Sequence, residues 1–139
     1  KGAGSVTCEP PNRAIAEAAG EGATVRLVRS RDGHYRAPGT INGESVDFLV
    51  DTGASVIAIP ASVAERIGLS RGSRISVQTA AGPSRAYRTR LQRVIVGSIA
   101  IDDVRAAIVP AMGGDQVLLG MSFLSHLEMQ FRDGELLLR

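Results

Sequence analysis

Apolar and polar residues alternate over short stretches along most of this chain, and a period of two residues is typical of half-buried β-strands. The first stretch, Val25–Val28, is too short to show which of its faces is buried. Two longer stretches, residues 34–41 and 44–50, are joined by Asn42-Gly43. Because both of these residues tolerate a positive φ angle, the pair predicts a tight β-hairpin.

Similar stretches continue to the end of the chain, with turn-forming residues between them. Strands are predicted at residues 56–59, 74–79, 84–89, 91–96, 99–101, 104–109, 117–119, 128–131 and 135–138. Turns are predicted at residues 80–83, 97–98, 102–103 and 133–134. A short helix is predicted from Pro60 to Ile67, where Gly68 provides a C-terminal stop, and a helical turn within residues 122–127. Many short strands at close spacing predict an all-β, closed, barrel-like fold with one or two short helices.

The first 22 residues differ in composition from the rest. They are rich in Gly, Ala, Pro and Ser, and Pro10-Pro11 interrupts any regular element. We expect residues 1–22 to be a flexible leader or tether, with an inhibitory pro-segment as the alternative. The whole chain has 139 residues, which suits one soluble domain, here residues 23–139. Because the chain begins with Lys1 rather than Met, we expect that an anchor or targeting segment could lie upstream.

Charge and composition argue against several classes of partner. The formal net charge is +2, and the arginines are scattered without a basic block or interleaved aromatic residues. This pattern predicts a solvated outer face rather than nucleic-acid binding. No apolar run reaches the ~18 residues of a membrane span. The single Cys8 cannot form a disulfide within the chain.

One stretch carries an acidic residue in a position that needs a chemical reason. The apolar residues Phe48–Val50 lead directly into Asp51, which is followed by the small residues 52–55. A carboxylate at the end of a buried strand is costly unless hydrogen bonds stabilise it. Asp51 is therefore the candidate catalytic residue. Taken alone, the Asp-Thr-Gly tripeptide favours the alternative of a β-turn in which Asp accepts a backbone hydrogen bond.

With its flanking residues, this stretch resembles the retropepsin-like aspartic proteases, most closely the small bacterial single-domain members with an Asp-Thr-Gly-Ala motif. The matching segments, in the family's order, are Ile41–Gly43, Phe48–Ser55, Ala80–Gly82 and Leu118–Leu124. The resemblance covers residues 34–139 and leaves the leader outside. It implies a closed barrel-like fold, active as a two-fold homodimer on an extended peptide or protein substrate, without a cofactor.

The resemblance also implies a role for each matching residue. Asp51 is the catalytic residue, and Thr52 braces the two protomers across the two-fold axis. The active-site loop consists of Thr52, Gly53, Ala54 and Ser55; the flap that covers the substrate contains Thr79, Ala80, Ala81 and Gly82; the supporting loop is Leu118, Leu119 and Gly120. No metal ligand is expected, since His34 and His126 stand apart and suit surface or structural positions.

The number of such motifs adds an inference from the residues themselves. The chain holds one Asp-Thr-Gly, and no other Asp follows an apolar strand in the same way. Amide hydrolysis by an activated water needs a base and an acid, which two carboxyl groups sharing one proton supply. The second carboxylate must then come from a second copy of the chain. This predicts a homodimer with one active site on its axis.

Two functions from different classes follow. The first is an aspartic endopeptidase, and the alternative is a non-catalytic dimeric peptide-binding module on the same fold. The resemblance further predicts a periplasmic domain of a bacterial protein anchored in the inner membrane. It also predicts that the C-terminal hairpin extends the dimer interface. Two features depart from the retroviral members: the ion pair between an acid near Ser55 and an Arg near Met121 is absent, and Pro83 stiffens the flap tip.

Overall fold

Ten β-strands and two short helices form the part of the chain that this computed structural model describes, residues 24–79 and 81–139. The strands are β1 (Val25–Val28), β2 (Arg36–Ile41), β3 (Glu44–Val50), β4 (Ile57–Pro60), β5 (Arg74–Thr79), β6 (Gly82–Val96), β7 (Ile99–Val109), β8 (Gln116–Leu119), β9 (Met129–Arg132) and β10 (Glu135–Leu138). The helices are α1 (Ala61–Ile67) and α2 (Met121–Leu124). The predicted leader, residues 1–22, and the predicted flap residue Ala80 lie outside the described residues.

Six strands close into a ring, which confirms the predicted all-β, barrel-like fold with two short helices. The larger sheet has the order β2-β3-β8-β4-β7-β6-β5, and β2 also pairs with β6. This second pairing closes the ring and leaves β5 outside it as an edge strand. The interior is filled by fully buried aliphatic and aromatic side chains, among them Ile41, Phe48, Ile57, Leu91 and Leu119. Within the described part, neither helix is long and apolar enough to span a membrane.

The local signals at Asn42-Gly43, Asp133-Gly134 and Gly68 are confirmed. Asn42 and Gly43 have φ angles of 52° and 87°, and they join β2 to β3 as a tight hairpin. Asp133 and Gly134 do the same between β9 and β10, with φ angles of 52° and 76°. Gly68 ends α1 in the left-handed conformation at φ 87°, where its lack of a side chain avoids strain.

A second sheet, of three strands in the order β1-β10-β9, packs against the barrel. The sequence did not show which face of Val25–Val28 is buried. In the structure, Val25 and Leu27 are the buried residues of β1. Leu136 and Leu138 of β10 are buried beside them and pair with β1 in an antiparallel register. On the free edge strand β9, the Phe131 ring remains largely exposed.

Two predicted interruptions do not occur. Residues 84–89 and 91–96 belong to the single strand β6, and the predicted turn at Asp102-Asp103 lies inside β7. These acids face arginines on the neighbouring strand: Arg93 Nε lies 2.6 Å from Asp102 Oδ1, and Arg90 Nη1 lies 3.0 Å from Asp103 Oδ1. The polar residues therefore form the outer face of one long hairpin instead of a turn. Asp103 takes the turn-like φ of 60° that the sequence suggested, but only at one residue.

Candidate active site

Asp51 lies directly after β3, where the chain leaves the sheet. Its backbone N–H donates to the carbonyl oxygen of Leu119 on β8 at 3.1 Å. Its carboxylate oxygen Oδ1 accepts the N–H of Gly53 at 3.0 Å, and its carbonyl accepts the N–H of Ala54 at 3.1 Å. Contrary to the expectation of a buried acid, Asp51 is only half-buried within one chain. The carboxylate is thus held by the backbone and is still open to solvent.

Strand β8 holds both ends of the Asp51 loop, which we define as residues 51–56. On one side β8 is parallel to β3, with Leu119 beside Val50. On the other side it is antiparallel to β4, with Leu118 beside Ala58. The chain therefore leaves β3, forms the Asp51 loop, and returns on the far side of β8. As a result, the position of Asp51 depends on a strand that lies more than sixty residues later in the sequence.

Gly120 makes this arrangement possible because the Asp51 loop passes directly against it. Its backbone is extended, at φ −95° and ψ −171°, which any residue can adopt. The requirement is for space: a Cβ at this position would overlap the carbonyl oxygen of Val56 and lie 2.7 Å from that of Ala54. The next residue, Met121, donates its N–H to the same Ala54 oxygen at 2.7 Å. The predicted supporting residues 118–120 therefore do lie behind the loop.

Ser122 is a contributor that the sequence did not reveal. Its Oγ accepts the N–H of Ile57, the first residue after the loop, at 3.1 Å. The same hydroxyl donates to the carbonyl oxygen of Arg105 on β7 at 2.7 Å. One side chain thus joins the exit of the Asp51 loop to a neighbouring strand. From the sequence, Ser122 could be judged only as a nucleophile, a role for which it lacks a Gly-x-Ser-x-Gly setting.

The other predicted loop residues are at least partly accessible to solvent. Thr52 and Ser55 are exposed, and Ala54 is half-buried. Gly53 is close to the acid, because a Cβ there would lie 3.3 Å from Asp51 Oδ1. Within the described residues, no hydrogen bond of the Thr52 hydroxyl is found. This hydroxyl is therefore available to a second molecule.

The hairpin formed by β5 and β6 corresponds to the predicted flap. Thr79 and Gly82 face each other at its tip, and Gly82 has a φ of 108°. The Thr79 hydroxyl donates to the Gly82 carbonyl at 2.6 Å and accepts the N–H of Ala81 at 3.2 Å. The hairpin shares an apolar cluster with the strand that leaves the Asp51 loop, since Val77 and Ala58 pack against the same buried residues. The hairpin and Asp51 therefore belong to the same side of the sheet.

Three apolar side chains form a floor beside Asp51. Leu49 pairs with Leu118, and Leu118 pairs with Ala58, so the three lie side by side across three strands. All three are half-buried. Asp51 follows Leu49 by two residues and so belongs to the same face. The site therefore combines one carboxylate with a partly open apolar surface.

Strong electrostatic shifts occur away from this site. A hydrogen-bonded ion pair with Arg36, together with the N–H of His34, lowers the pKa of Asp32 to about 2. The Arg93 guanidinium likewise lowers the pKa of Asp102. In residues 24–79 and 81–139, no group of three or more His, Cys, Asp or Glu side chains is arranged to hold a metal ion.

Comparison with known proteins decides the family. The sequence model described as gag-polyprotein putative aspartyl protease matches residues 37–126, from the start of β2 to just beyond α2. The chain belongs to the retropepsin-like aspartic proteases. This retropepsin-like chain also resembles the crystal structure of a retropepsin-like aspartic protease from Rickettsia conorii, with a TM-score of 0.71 and 26% identity over 84% of this chain and 90% of that one.

More distant similarity supports the fold alone. The protease of EIAV, solved in complex with the inhibitor HBY-793, has a TM-score of 0.50 and 20% identity over 65% of this chain and 86% of that one.

Among curated relatives, an uncharacterized protein in the cobV 5' region of Sinorhizobium is 41% identical over 83% of the chain, and one of Rickettsia prowazekii is 30% identical over 81%. The chain spans only about half the length of these two relatives, 51% and 49%.

Proposed function

We propose that this retropepsin-like chain is an aspartic endopeptidase that hydrolyses peptide bonds as a two-fold homodimer. The observation that carries the proposal is the half-exposed Asp51 carboxylate, which backbone hydrogen bonds hold next to an apolar floor. The chain contains a single Asp-Thr-Gly sequence. A complete site therefore needs Asp51 from two copies.

The chemistry requires that the two carboxyl groups share one proton. Like charges a few ångströms apart resist simultaneous ionisation, so one group remains protonated while the other is ionised. The ionised group takes a proton from water as the water oxygen attacks the peptide carbonyl carbon, and the protonated group donates to the carbonyl oxygen. The carboxyl group that took the proton from water then donates it to the amide nitrogen, the C–N bond breaks, and the other group takes back a proton from a hydroxyl of the tetrahedral intermediate. The products are a carboxylic acid and an amine, and no metal or covalent intermediate is needed.

The exposure of the loop supports the dimer. In a single chain Thr52 is exposed and Asp51 is only half-buried, and the Thr52 hydroxyl has no partner within the described residues. A second copy related by a two-fold axis would bring the same surface of each loop together. This contact would also bury the Asp51 carboxylates, which are only half-buried in a single chain.

The β5–β6 hairpin and the apolar floor support an extended peptide as the substrate. β5 is the last strand of the larger sheet, so one of its edges has backbone N–H and C=O groups that a peptide can pair with. The half-buried Leu49, Leu118 and Ala58 would accommodate apolar side chains next to the cleaved bond. We therefore expect cleavage between or beside apolar residues.

The deciding variant is Asp51→Asn, with Asp47→Asn as its matched control. Asp47 is an exposed residue of β3, the strand that leads into Asp51, so its substitution removes the same charge outside the loop. We expect Asp51→Asn to lower kcat/KM by about a thousandfold or more, since it removes the group that activates water. Asp47→Asn should retain activity. The measurement is cleavage of a fluorogenic peptide library, with dimerisation followed by analytical ultracentrifugation.

A mixing experiment tests the shared site. Wild type and Asp51→Asn chains are mixed in equal amounts and allowed to exchange subunits. If both carboxylates are required, only about a quarter of the dimers are active at random pairing, whereas independent sites would leave about half of the activity. A wild-type dimer that cleaves no peptide or unfolded protein would favour the non-catalytic peptide-binding module instead.

A further inference from the structure

Four arginines that the sequence places on a solvated outer face line a single surface cavity. The cavity has a volume of about 590 Å³, and its lining includes Arg71, Arg88, Arg90 and Arg105. The lining contains no Asp or Glu. Val56 belongs to both the cavity wall and the Asp51 loop.

Strand pairing connects this cavity to the candidate active site. One cross-strand row runs over five strands through Leu49, Leu118, Ala58, Ala107 and Arg88. Residues paired in this way project from the same face of a sheet. The row therefore begins at the apolar floor beside Asp51 and ends at the basic cavity. Measured along the curved surface of the sheet, the four inter-strand steps from Leu49 to Arg88 add up to about 19 Å.

The positive charge of the cavity is only partly compensated within the chain. Arg90 and Arg105 lie directly opposite each other across the β6–β7 ladder, an arrangement of like charges that costs stability. Asp103 neutralises Arg90 through a 3.0 Å contact. In the part of the chain that the structure describes, no carboxylate lies within ion-pairing distance of Arg88 or Arg105. These two guanidinium groups are therefore available to an anion from outside.

The Arg71 side chain is held in place at the rim of the cavity. Its guanidinium carbon lies 4.7 Å from the centroid of the Tyr87 ring, within the range of a cation–π contact. The carbonyl oxygen of Arg88 accepts the N–H of Gly72 at 2.7 Å, which ties the Arg71 segment to β6. The rim is thus positioned by contacts within the chain before any ligand binds.

We propose that this cavity is a distal specificity subsite that binds acidic side chains of the peptide substrate, chiefly through Arg88 and Arg105. The proposal rests on the proposed function, because it assumes an extended peptide lying along the cross-strand row. At ~3.3 Å per residue, an extended peptide that follows the surface of the sheet covers this path of about 19 Å with five or six residues. A two-fold dimer carries one such cavity at each end of the cleft, so acidic residues on either side of the cleaved bond would be recognised.

The test compares peptides that differ only at the distal positions. Each has the same apolar centre and carries Glu, Gln or Lys at about five residues on both sides of the cleaved bond. For wild type we expect kcat/KM to be about three- to tenfold higher with Glu than with Gln, and lower again with Lys. The preference should shrink when the ionic strength rises from about 0.05 M to about 0.5 M.

The decisive variant is Arg88→Gln/Arg105→Gln, with Arg66→Gln/Arg85→Gln as a matched control. Both double variants remove two positive charges. Arg66 and Arg85 are exposed, and neither belongs to the cavity lining. The Arg88→Gln/Arg105→Gln variant should cleave the Glu and Gln peptides equally well. The control should keep the preference for Glu.

A binding measurement separates failure of this proposal from failure of the proposed function. Fluorescence anisotropy of the labelled peptides is measured with Asp51→Asn chains, which do not need to cleave them. Tighter binding of the Glu peptide that is lost with Arg88→Gln/Arg105→Gln supports the subsite, even if wild type proves inactive. Cleavage or binding that is equal for Glu, Gln and Lys peptides overturns the subsite and leaves the protease proposal standing.

Discussion

The Asp51 loop and the β5–β6 hairpin lie on the same side of the sheet, but they are held in different ways. The loop is fixed by residues from distant parts of the chain, namely Leu119, Gly120, Met121 and Ser122. The tip of the hairpin is held by pairing between its own two strands and by the hydroxyl of Thr79. One region depends on tertiary contacts and the other on local ones.

This difference matches what each region would do in the proposed reaction. A carboxylate that activates water must hold its position closely, and packing against backbone from two sides provides that rigidity. A hairpin that covers a peptide must move, and its tip can move with little loss of tertiary packing because only local contacts hold it. The comparison can be tested by changing one contact at a time in each region.

The largest effect is expected for Gly120→Ala. The added Cβ would overlap the Val56 carbonyl and come within 2.7 Å of the Ala54 carbonyl, so backbone must shift to accept it. We expect the free energy of unfolding to fall by about 3 kcal/mol and the activity to fall with it. Urea denaturation followed by circular dichroism measures the first, and peptide cleavage the second.

Gly113→Ala is the matched control for this substitution. A Cβ added at Gly113 would meet open space, and the φ angle of this residue is not positive. Its replacement should therefore change the free energy of unfolding by no more than about 0.5 kcal/mol. Equal effects of the two substitutions would show that the loop yields easily around Gly120. In that case the contrast between a rigid loop and an adjustable hairpin would be wrong.

A smaller loss is expected for Ser122→Ala. Without the hydroxyl, the N–H of the fully buried Ile57 and the carbonyl of Arg105 each lose a partner. Leaving a buried donor unpaired costs about 1–3 kcal/mol in unfolding free energy. Ser62→Ala is the control, because the Ser62 hydroxyl donates to Gly114 at an exposed position. If Ser122→Ala were as mild as its control, the hydroxyl would not anchor the loop.

The same contrast explains how far the sequence could predict this molecule. Features set by neighbouring residues were predictable: the Asn42-Gly43 hairpin, the Gly68 helix stop, and the Asp51 motif with its family. Features set by distant contacts were not. The hydrogen bonds of Ser122 depend on how α2 packs, and no local pattern signals them.

Charged residues show most clearly where prediction from the sequence fails. Asp102-Asp103 has the composition of a turn, but arginines across the ladder keep it inside β7. Arg88 and Arg90 stand two residues apart on β6 and so share a face, whereas the sequence pattern placed Arg90 between two separate strands. That Arg105 completes the cavity follows only from the register between β6 and β7, which the sequence did not specify.

A functional effect without a large loss of stability is expected for Thr79→Val in the hairpin. The change removes the hydroxyl that donates to Gly82 and accepts from Ala81, at a half-buried position near the tip. We expect unfolding free energy to fall by less than about 1 kcal/mol, because water can replace these bonds. KM should rise about two- to fivefold while kcat changes little, since the tip becomes less ordered before substrate binds.

Thr79→Ser is the control for the hairpin, because it keeps the hydroxyl. It should retain the wild-type KM in the same steady-state assay. If Thr79→Val lowered the free energy of unfolding as much as Gly120→Ala, the hairpin tip would be as tightly coupled to the fold as the Asp51 loop.

The smallest effect is expected at the Asp32–Arg36 pair, which lies in and after the turn leading to β2. This turn reaches the Asp51 region through Tyr35, whose carbonyl accepts the Val50 N–H at 2.9 Å. Arg36 and the N–H of His34 lower the pKa of Asp32 from 3.8 to about 2 in the folded chain. Because the folded pKa is depressed, the stabilisation is present above the unfolded pKa and is lost as the pH falls through about 2.

Asp32→Asn should therefore be slightly less stable than wild type at pH 6, and the difference should vanish as the pH falls from about 4 towards 2. The effect is small because both side chains are largely solvated, at 42% and 47% exposure. Urea denaturation at a series of pH values measures it. Asp47→Asn is the control, since Asp47 is exposed and has no ion-pair partner among the described residues. A difference between Asp32→Asn and wild type that persists at pH 2 would assign the effect to the backbone of the turn rather than to the ion pair. In that case the approach to the Asp51 loop would be anchored by local turn geometry, as the hairpin is, and not by charge.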